Sequence, residues 1–261
     1  MPTVISADGT SIAYETAGSG PALVLIDGAL CFRDGGPMRG IADRLSEDVT
    51  VVLYDRRGRG ASTDTVPYSV AREVEDIDAL IAATGGSAAL FGLSSGGALA
   101  ITAAVALGQH RVPRLAVYEP PYFTDDATAA AADYTRALAE ALAAGDRDKA
   151  VALFLRRVGV PDTVMEGMRS SPGWAATIAI APTLAYDDAA LGDSRVPLAL
   201  LAALRAPLLA LAGGQSPAFL RYGAEQLAEH APEGRFALVD GQTHDIAPAP
   251  LASHLVSFLT G

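Results

Sequence analysis

Gly92-Leu93-Ser94-Ser95-Gly96 follows the short apolar run Ala88-Ala89-Leu90-Phe91 and precedes an Ala-rich stretch that reads as a helix to about Leu107. A buried strand that turns sharply through a serine into a helix has the pattern of a nucleophile elbow. Glycine is needed on both flanks because the turn holds the serine backbone in a strained conformation, and a side chain there would strike the neighbouring strand or helix. Such a turn points the Ser94 hydroxyl out over the sheet edge. It also leaves the Ser95 amide at the positive end of the helix, where an oxyanion can be stabilised. Ser95 is the rival nucleophile, but Leu93 stands where its first glycine should be.

On the N-terminal side of this stretch, Val4 to Ser6 and the alternating Ser11 to Thr16 predict a β-hairpin turning at Asp8-Gly9. Ala22-Leu23-Val24-Leu25-Ile26 and Val49 to Tyr54 are unbroken apolar runs of strand length, the pattern of strands buried on both faces of a parallel sheet. A helix from about Pro37 to Leu45 separates them. Val70, Val74, Ile77 and Ile81 follow helical spacing, with Glu73, Glu75, Asp76 and Asp78 expected on the opposite, solvated side. Beyond the elbow helix, Leu115 to Tyr118 predicts a strand that ends at Glu119-Pro120-Pro121.

Strand and helix then stop alternating. Residues 122–205 are rich in Ala, Leu, Asp and Arg, with a helical stripe at Tyr134, Leu138, Ala141 and Leu142. Helix starts are signalled at Thr124-Asp125-Asp126, Asp146 and Pro161-Asp162, so an all-helical insertion is expected here. Alternation resumes with Pro207 to Ala212, a helix to about His230, the strand Phe236 to Val239 and a last helix carrying Leu251, Leu255, Phe258 and Leu259. The organisation expected is one core, 1–121 with 206–261, interrupted by a helical lid, 122–205, with chemistry at the carboxyl ends of a doubly wound sheet.

Composition narrows the function classes. A net charge of -11 with Lys149 as the only lysine argues against nucleic acid, whose phosphates demand clustered basic residues. No apolar run is long enough to span a bilayer, and the N-terminus lacks the basic start and apolar core of a secretory signal, so no membrane partner and a cytoplasmic location are expected. The lone cysteine, Cys31, excludes an internal disulfide and a cysteine-based zinc site. His110, His230, His244 and His254 are scattered and show no metal-ligand spacing. Neither a metal nor an organic cofactor is expected. Composition leaves the oligomeric state open.

Four motifs together carry a family resemblance across essentially the whole chain: Asp27-Gly28-Ala29, the Asp55 to Ser62 turn of D-x-R-G-x-G-x-S type, the Gly92 to Gly96 elbow, and Gly241-Gln242-Thr243-His244-Asp245. The chain resembles the α/β-hydrolases, and more narrowly the small serine hydrolases common in actinobacteria. The resemblance implies an α/β-hydrolase fold, with a mostly parallel eight-stranded sheet, helices on both faces and a helical lid insertion. It implies Ser94 as nucleophile, His244 as general base, and the Ala29 and Ser95 amides as oxyanion hole. A serine hydroxyl does not ionise at neutral pH, so a histidine must take its proton. His244 alone of the four histidines sits in a Gly-bounded loop after the last expected strand.

The acid departs from the common family pattern. Where many members carry an aspartate, after Ala210 to Gly214, this chain has Gln215-Ser216-Pro217. The alternative used by some haloalkane dehalogenases puts the acid after the strand that follows the elbow helix, which here is Glu119. A dyad without an acid remains open, as does a structural Glu119 paired with Arg56 or Arg57. Asp27 stands where relatives commonly have histidine. Leu30, Cys31, Tyr122 and Trp174 are the expected pocket residues, with Phe154, Met165 and Met168 as further candidates. The activity implied is cleavage of an ester, lactone or thioester of a small hydrophobic molecule through an acyl-enzyme on Ser94. Cyclisation, lyase or perhydrolase chemistry at the same site is an alternative, and a non-catalytic ligand-binding role is another.

Overall fold

Buried apolar runs become the central strands. A computed structural model describes residues 1–124 and 128–261. Its strands are β1 (Thr3–Ile5), β2 (Ser11–Ala17), β3 (Ala22–Ile26), β4 (Thr50–Tyr54), β5 (Ala89–Leu93), β6 (Leu115–Tyr118), β7 (Leu208–Gly213) and β8 (Gly234–Val239). They form one eight-stranded sheet in the order β1-β2-β4-β3-β5-β6-β7-β8. The pairings of β1 with β2 and β2 with β4 are antiparallel, and all others are parallel. The chain passes from β3 to one side as β4 and then to the other as β5. The carboxyl ends of β3 and β5 therefore flank the switch point where ligands bind in sheets of this kind.

Both faces of the sheet are covered. On one, α1 (Met38–Leu45) and α11 (Pro248–Thr260) bury Met38, Ile41, Leu251 and Leu255 against Leu25, Phe91 and Leu211. On the other, α2 (Val70–Ala83), α3 (Ser95–Leu107) and α10 (Ala218–His230) bury Ile77, Leu99 and Leu227 against Val24, Leu90 and Val117. Each large aliphatic side chain removed from water contributes roughly 1.5–3 kcal/mol, so these two layers dominate the stabilisation of the sheet. Glu73 and Asp76 do not lie on a solvated face as the helical pattern predicts. Each is 1% exposed, and both pair with the Asp55–Ser62 turn: Glu73 with Arg56, Asp76 with Arg57. A buried guanidinium requires a carboxylate close by, and α2 supplies two.

Between β6 and β7 the described residues form α4 (Thr128–Ala143), α5 (Arg147–Arg157), α6 (Asp162–Arg169), α7 (Trp174–Ala179), α8 (Leu184–Leu191) and α9 (Leu198–Ala203). Of the expected helix starts, Asp146 caps α5 by accepting the Lys149 amide at 3.0 Å, and α6 begins at Asp162. Asp125 and Asp126 lie outside the described residues. Leu138, Ala141, Val151, Leu155, Met165 and Leu184 make a separate small core for these helices. Entry and exit of the segment are tied together where the Phe123 amide donates to the Ser194 carbonyl at 2.8 Å.

Candidate active site

Ser94 links β5 to α3 with φ +55° and ψ -128°, a backbone conformation that an L-residue adopts only under strain. A Cβ on Gly92 would collide with the Gly96 carbonyl, and one on Gly96 with the Ile26 carbonyl, so both flanking positions exclude side chains. The Ser94 amide donates to the Tyr118 carbonyl at 2.9 Å, which ties the turn to the end of β6.

One residue beyond that carbonyl, Glu119 also has a positive φ, +47°, and is 0% exposed. Its Oε1 accepts the Gly213 amide at 2.7 Å, and its Oε2 lies 2.7 Å from His244 Nδ1. Neither Arg56 nor Arg57 pairs with it; their carboxylates are Glu73, Asp187, Asp76 and Asp8. The His244 loop is held in turn, because Tyr118 donates its hydroxyl proton to the Thr243 carbonyl at 2.6 Å and the Gln215 amide donates to the Gln242 carbonyl at 2.9 Å. With Nδ1 engaged by a buried carboxylate, Nε2 is the nitrogen available for proton transfer.

Ser94 and His244 line one cavity of about 390 Å³ together with Ala29 and Ser95. No hydrogen bond joins Ser94 Oγ to His244 among the described residues, and contacts of this kind tighten when substrate is bound. The Ala29 amide has no acceptor among the described residues. The Ser95 amide opens α3, where helix geometry supplies no intrahelical acceptor. The remaining wall is mainly apolar, with Phe123, Phe154, Leu184 and Phe219 prominent.

The profile of the Alpha/beta hydrolase family matches residues 18–254. The chain belongs to the alpha/beta hydrolase family. Among solved structures, this hydrolase is similar to an alpha/beta hydrolase from Sphaerobacter thermophilus DSM 20745 at 45% identity, with a TM-score of 0.88 over 99% of this chain and 100% of the other. A hydrolase from Pseudomonas aeruginosa PA01 matches at 26% identity and a TM-score of 0.77, over 100% of this chain and 98% of the other. An esterase from Exiguobacterium antarcticum shares the fold at 19% identity and a TM-score of 0.76, over 99% of each chain. A search of curated proteins found no match. No helix among the described residues of this hydrolase is long and apolar enough to cross a membrane.

Leu30, Cys31, Tyr122 and Trp174, expected in the pocket wall, are placed elsewhere than among the residues that line this cavity. Leu30, at φ +57°, packs against the core of the helical segment. Tyr122 is 2% exposed and belongs to the main core. Trp174 packs against the helical core, with the Arg169 guanidinium 5.8 Å from its ring. Cys31 lies beside Asp27, near Gly36. Its thiol is pushed up to about 12 by burial and by the Asp27 charge, which keeps it protonated and a poor nucleophile. Met165 is buried in the helical core and Met168 packs on it, so Phe154 alone of the further candidates reaches the cavity.

Sequence reasoning missed Phe123, Phe219 and the charged residues Arg157, Asp187 and Asp188, all of which line the cavity. Asp187, on α8, is 3% exposed. Its Oδ1 accepts from Arg56 at 2.6 Å and from the Ser95 hydroxyl at 2.9 Å, and its Oδ2 accepts from Arg59 at 2.6 Å. The available signal was the cluster Arg56, Arg57 and Arg59 in a turn next to buried strands, since three buried cations require acids from elsewhere in the chain. Asp27 is buried with both carboxylate oxygens unpartnered. Burial raises its pKa to about 7 against the opposing pull of Arg59 and Arg56.

Proposed function

We propose that this hydrolase cleaves an ester, lactone or thioester of a small hydrophobic molecule through an acyl-enzyme on Ser94. The observation that carries the reading is the Glu119 carboxylate, fully buried, braced by the Gly213 amide and 2.7 Å from His244 Nδ1 in the cavity wall that also holds Ser94. A carboxylate there selects the imidazole tautomer with its proton on Nδ1 and stabilises the imidazolium formed during reaction.

His244 Nε2 accepts the Ser94 proton as Oγ attacks the substrate carbonyl, and the Ala29 and Ser95 amides take the developing negative charge. The protonated imidazole then donates to the leaving group, and water enters by the same sequence in reverse to release the acid and free Ser94. Each oxyanion donor is worth roughly 3 kcal/mol of barrier in enzymes of this kind. The cavity, about 390 Å³ and rimmed by aromatic side chains, suits a small acyl or aryl group. The helices α4 to α9 act as the lid over it in this reading.

Intact-mass analysis after treatment with a fluorophosphonate is the test, with turnover of short-chain p-nitrophenyl esters alongside. The wild type is expected to gain one adduct on Ser94 and to turn over the ester, while Ser94→Ala gains none and loses turnover by about 10⁴-fold or more. An unlabelled, inactive wild type would overturn acyl transfer and favour a ligand-binding role for the cavity.

A further inference from the structure

The Gly28–Ala29 peptide carries the first oxyanion donor on its nitrogen, and its other end is held by a charge. Arg59 Nη1 donates to the Gly28 carbonyl at 2.6 Å and to the Cys31 carbonyl at 3.1 Å. The same guanidinium gives Nη2 to Asp187 at 2.6 Å and Nε to Thr183 at 3.1 Å. Arg56, also bound to Asp187, donates to the Asp27 carbonyl at 3.1 Å. Asp187 itself accepts the Ser95 hydroxyl proton, from the residue whose amide is the second donor. One carboxylate on α8 thus reaches both halves of the hole.

A trans peptide is planar, with its oxygen and hydrogen on opposite sides. Fixing the Gly28 oxygen against a guanidinium therefore fixes the direction of the Ala29 N–H. A charge-assisted bond to the oxygen also draws density from the amide and strengthens the N–H as a donor, and the low dielectric of a buried site magnifies both effects.

We infer that Asp187 and Arg59 are positioning residues that orient and polarise the Gly28–Ala29 peptide, so that the oxyanion hole is complete only when α8 is docked on the sheet. The inference rests on the hydrolase reading for the peptide's role, and on geometry alone for the peptide's polarisation. Because Asp187, Leu184 and Leu191 of α8 line the same cavity, a substrate that packs on α8 holds in place the carboxylate on which its own transition state depends.

The test compares wild type, Asp187→Asn, Arg59→Met and the double variant. Removing one buried charge unbalances Arg56 and Arg59 against Glu73 and Asp187, so a single variant can fail to fold, whereas the double variant removes one charge of each sign. Two readouts are taken. The first is the carbonyl 13C and amide 15N–H correlation of the Gly28–Ala29 pair in protein labelled with [1-13C]glycine and [15N]alanine. Only Gly28–Ala29, Gly60–Ala61, Gly97–Ala98 and Gly223–Ala224 give such signals in this sequence. The second is kcat and KM for ester turnover.

The expected result is an upfield move of the Gly28 carbonyl and Ala29 amide proton signals in every folded variant, the Gly223–Ala224 signal staying in place. It is accompanied by a loss of kcat on the order of tenfold or more with KM within about twofold. The double variant should lose no more than the larger single loss, because the two residues form one link. An unmoved Gly28–Ala29 signal, or unchanged kcat in a folded double variant, overturns the inference. If the wild type neither labels nor turns over, the hydrolase reading fails by itself, and the Gly28–Ala29 signal then decides alone whether the Asp187–Arg59 link polarises the peptide.

Discussion

On the sheet side of the cavity, Ser94 and Glu119 sit at the carboxyl ends of β5 and β6, and both hold a positive φ, at +55° and +47°. On the helical side, Tyr134, Phe154, Leu184 and Leu191 reach the same space from the regular backbone of α4, α5 and α8. The strand-end wall stores backbone strain, which persists only because the buried sheet beneath it over-determines the chain path. The helical wall stores none and, Asp187 apart, works through side-chain volume. The groups proposed for bond-making thus hang from the strand ends, and most of the helical wall offers side-chain volume alone, α8 being the exception because its Asp187 reaches Arg59 and Ser95.

Glu119→Gln probes the strand-end wall hardest. A glutamine can still accept the Gly213 amide but offers an NH₂ to His244 Nδ1, which drives the imidazole proton to Nε2, where it blocks base catalysis. A loss of kcat of about 10³–10⁴-fold is expected, with fold and KM preserved. Ester turnover within a few-fold of wild type would return the site to a dyad and erase the functional contrast between the walls.

Asp27→Asn sharpens the comparison through stability. Burial raises the Asp27 pKa to about 7 in the folded protein, whereas the unfolded chain releases the proton near the ordinary aspartate value of about 4. The folded state therefore binds more protons across that interval, and stability falls as pH rises through it, with the loss complete above about pH 7. At about 1.4 kcal/mol per pKa unit, the penalty at pH 8 is on the order of 4 kcal/mol. Denaturant melts at pH 5 and pH 8 should show the wild type losing stability between them and Asp27→Asn losing less. Parallel curves for the two proteins would show that Asp27 is not the titrating group.

Phe154→Ala tests the helical wall and should have the smallest effect. Enlarging the apolar cavity is expected to raise KM for an aryl ester roughly fivefold while kcat stays within about twofold. If kcat falls as far as it does for Glu119→Gln, the side chains of α5 position the reacting atoms and the two walls do not divide the work as described.

The elbow, the eight strands and the two helical layers were legible in the sequence because strand runs and helical spacings are local patterns set by which faces are buried. The pocket was far less legible. Tyr122 and Trp174 are large and aromatic, as pocket residues often are, yet both are used for packing, while the exposed Phe219 at the start of α10 pairs with Phe123 at 5.8 Å along the cavity wall. The helical pattern puts Glu73 and Asp76 on a solvated face for the same reason: periodicity reports polarity and is blind to a guanidinium arriving from a turn elsewhere.

Sequence alone determined that this chain folds as an alternating α/β sheet around Ser94, with His244 in the loop after the last strand and Glu119 at the end of β6. Those assignments follow from short-range chemistry: glycines where a side chain cannot fit, apolar runs of strand length, and a carboxylate at a strand terminus. Only the tertiary structure decided that Glu119 and His244 meet across 125 residues of chain, that Asp187 joins Arg56, Arg59 and Ser95, and which side chains bound the cavity. Such pairings depend on where strand ends and helices are brought together by burial in three dimensions, and neither composition nor spacing encodes that distance.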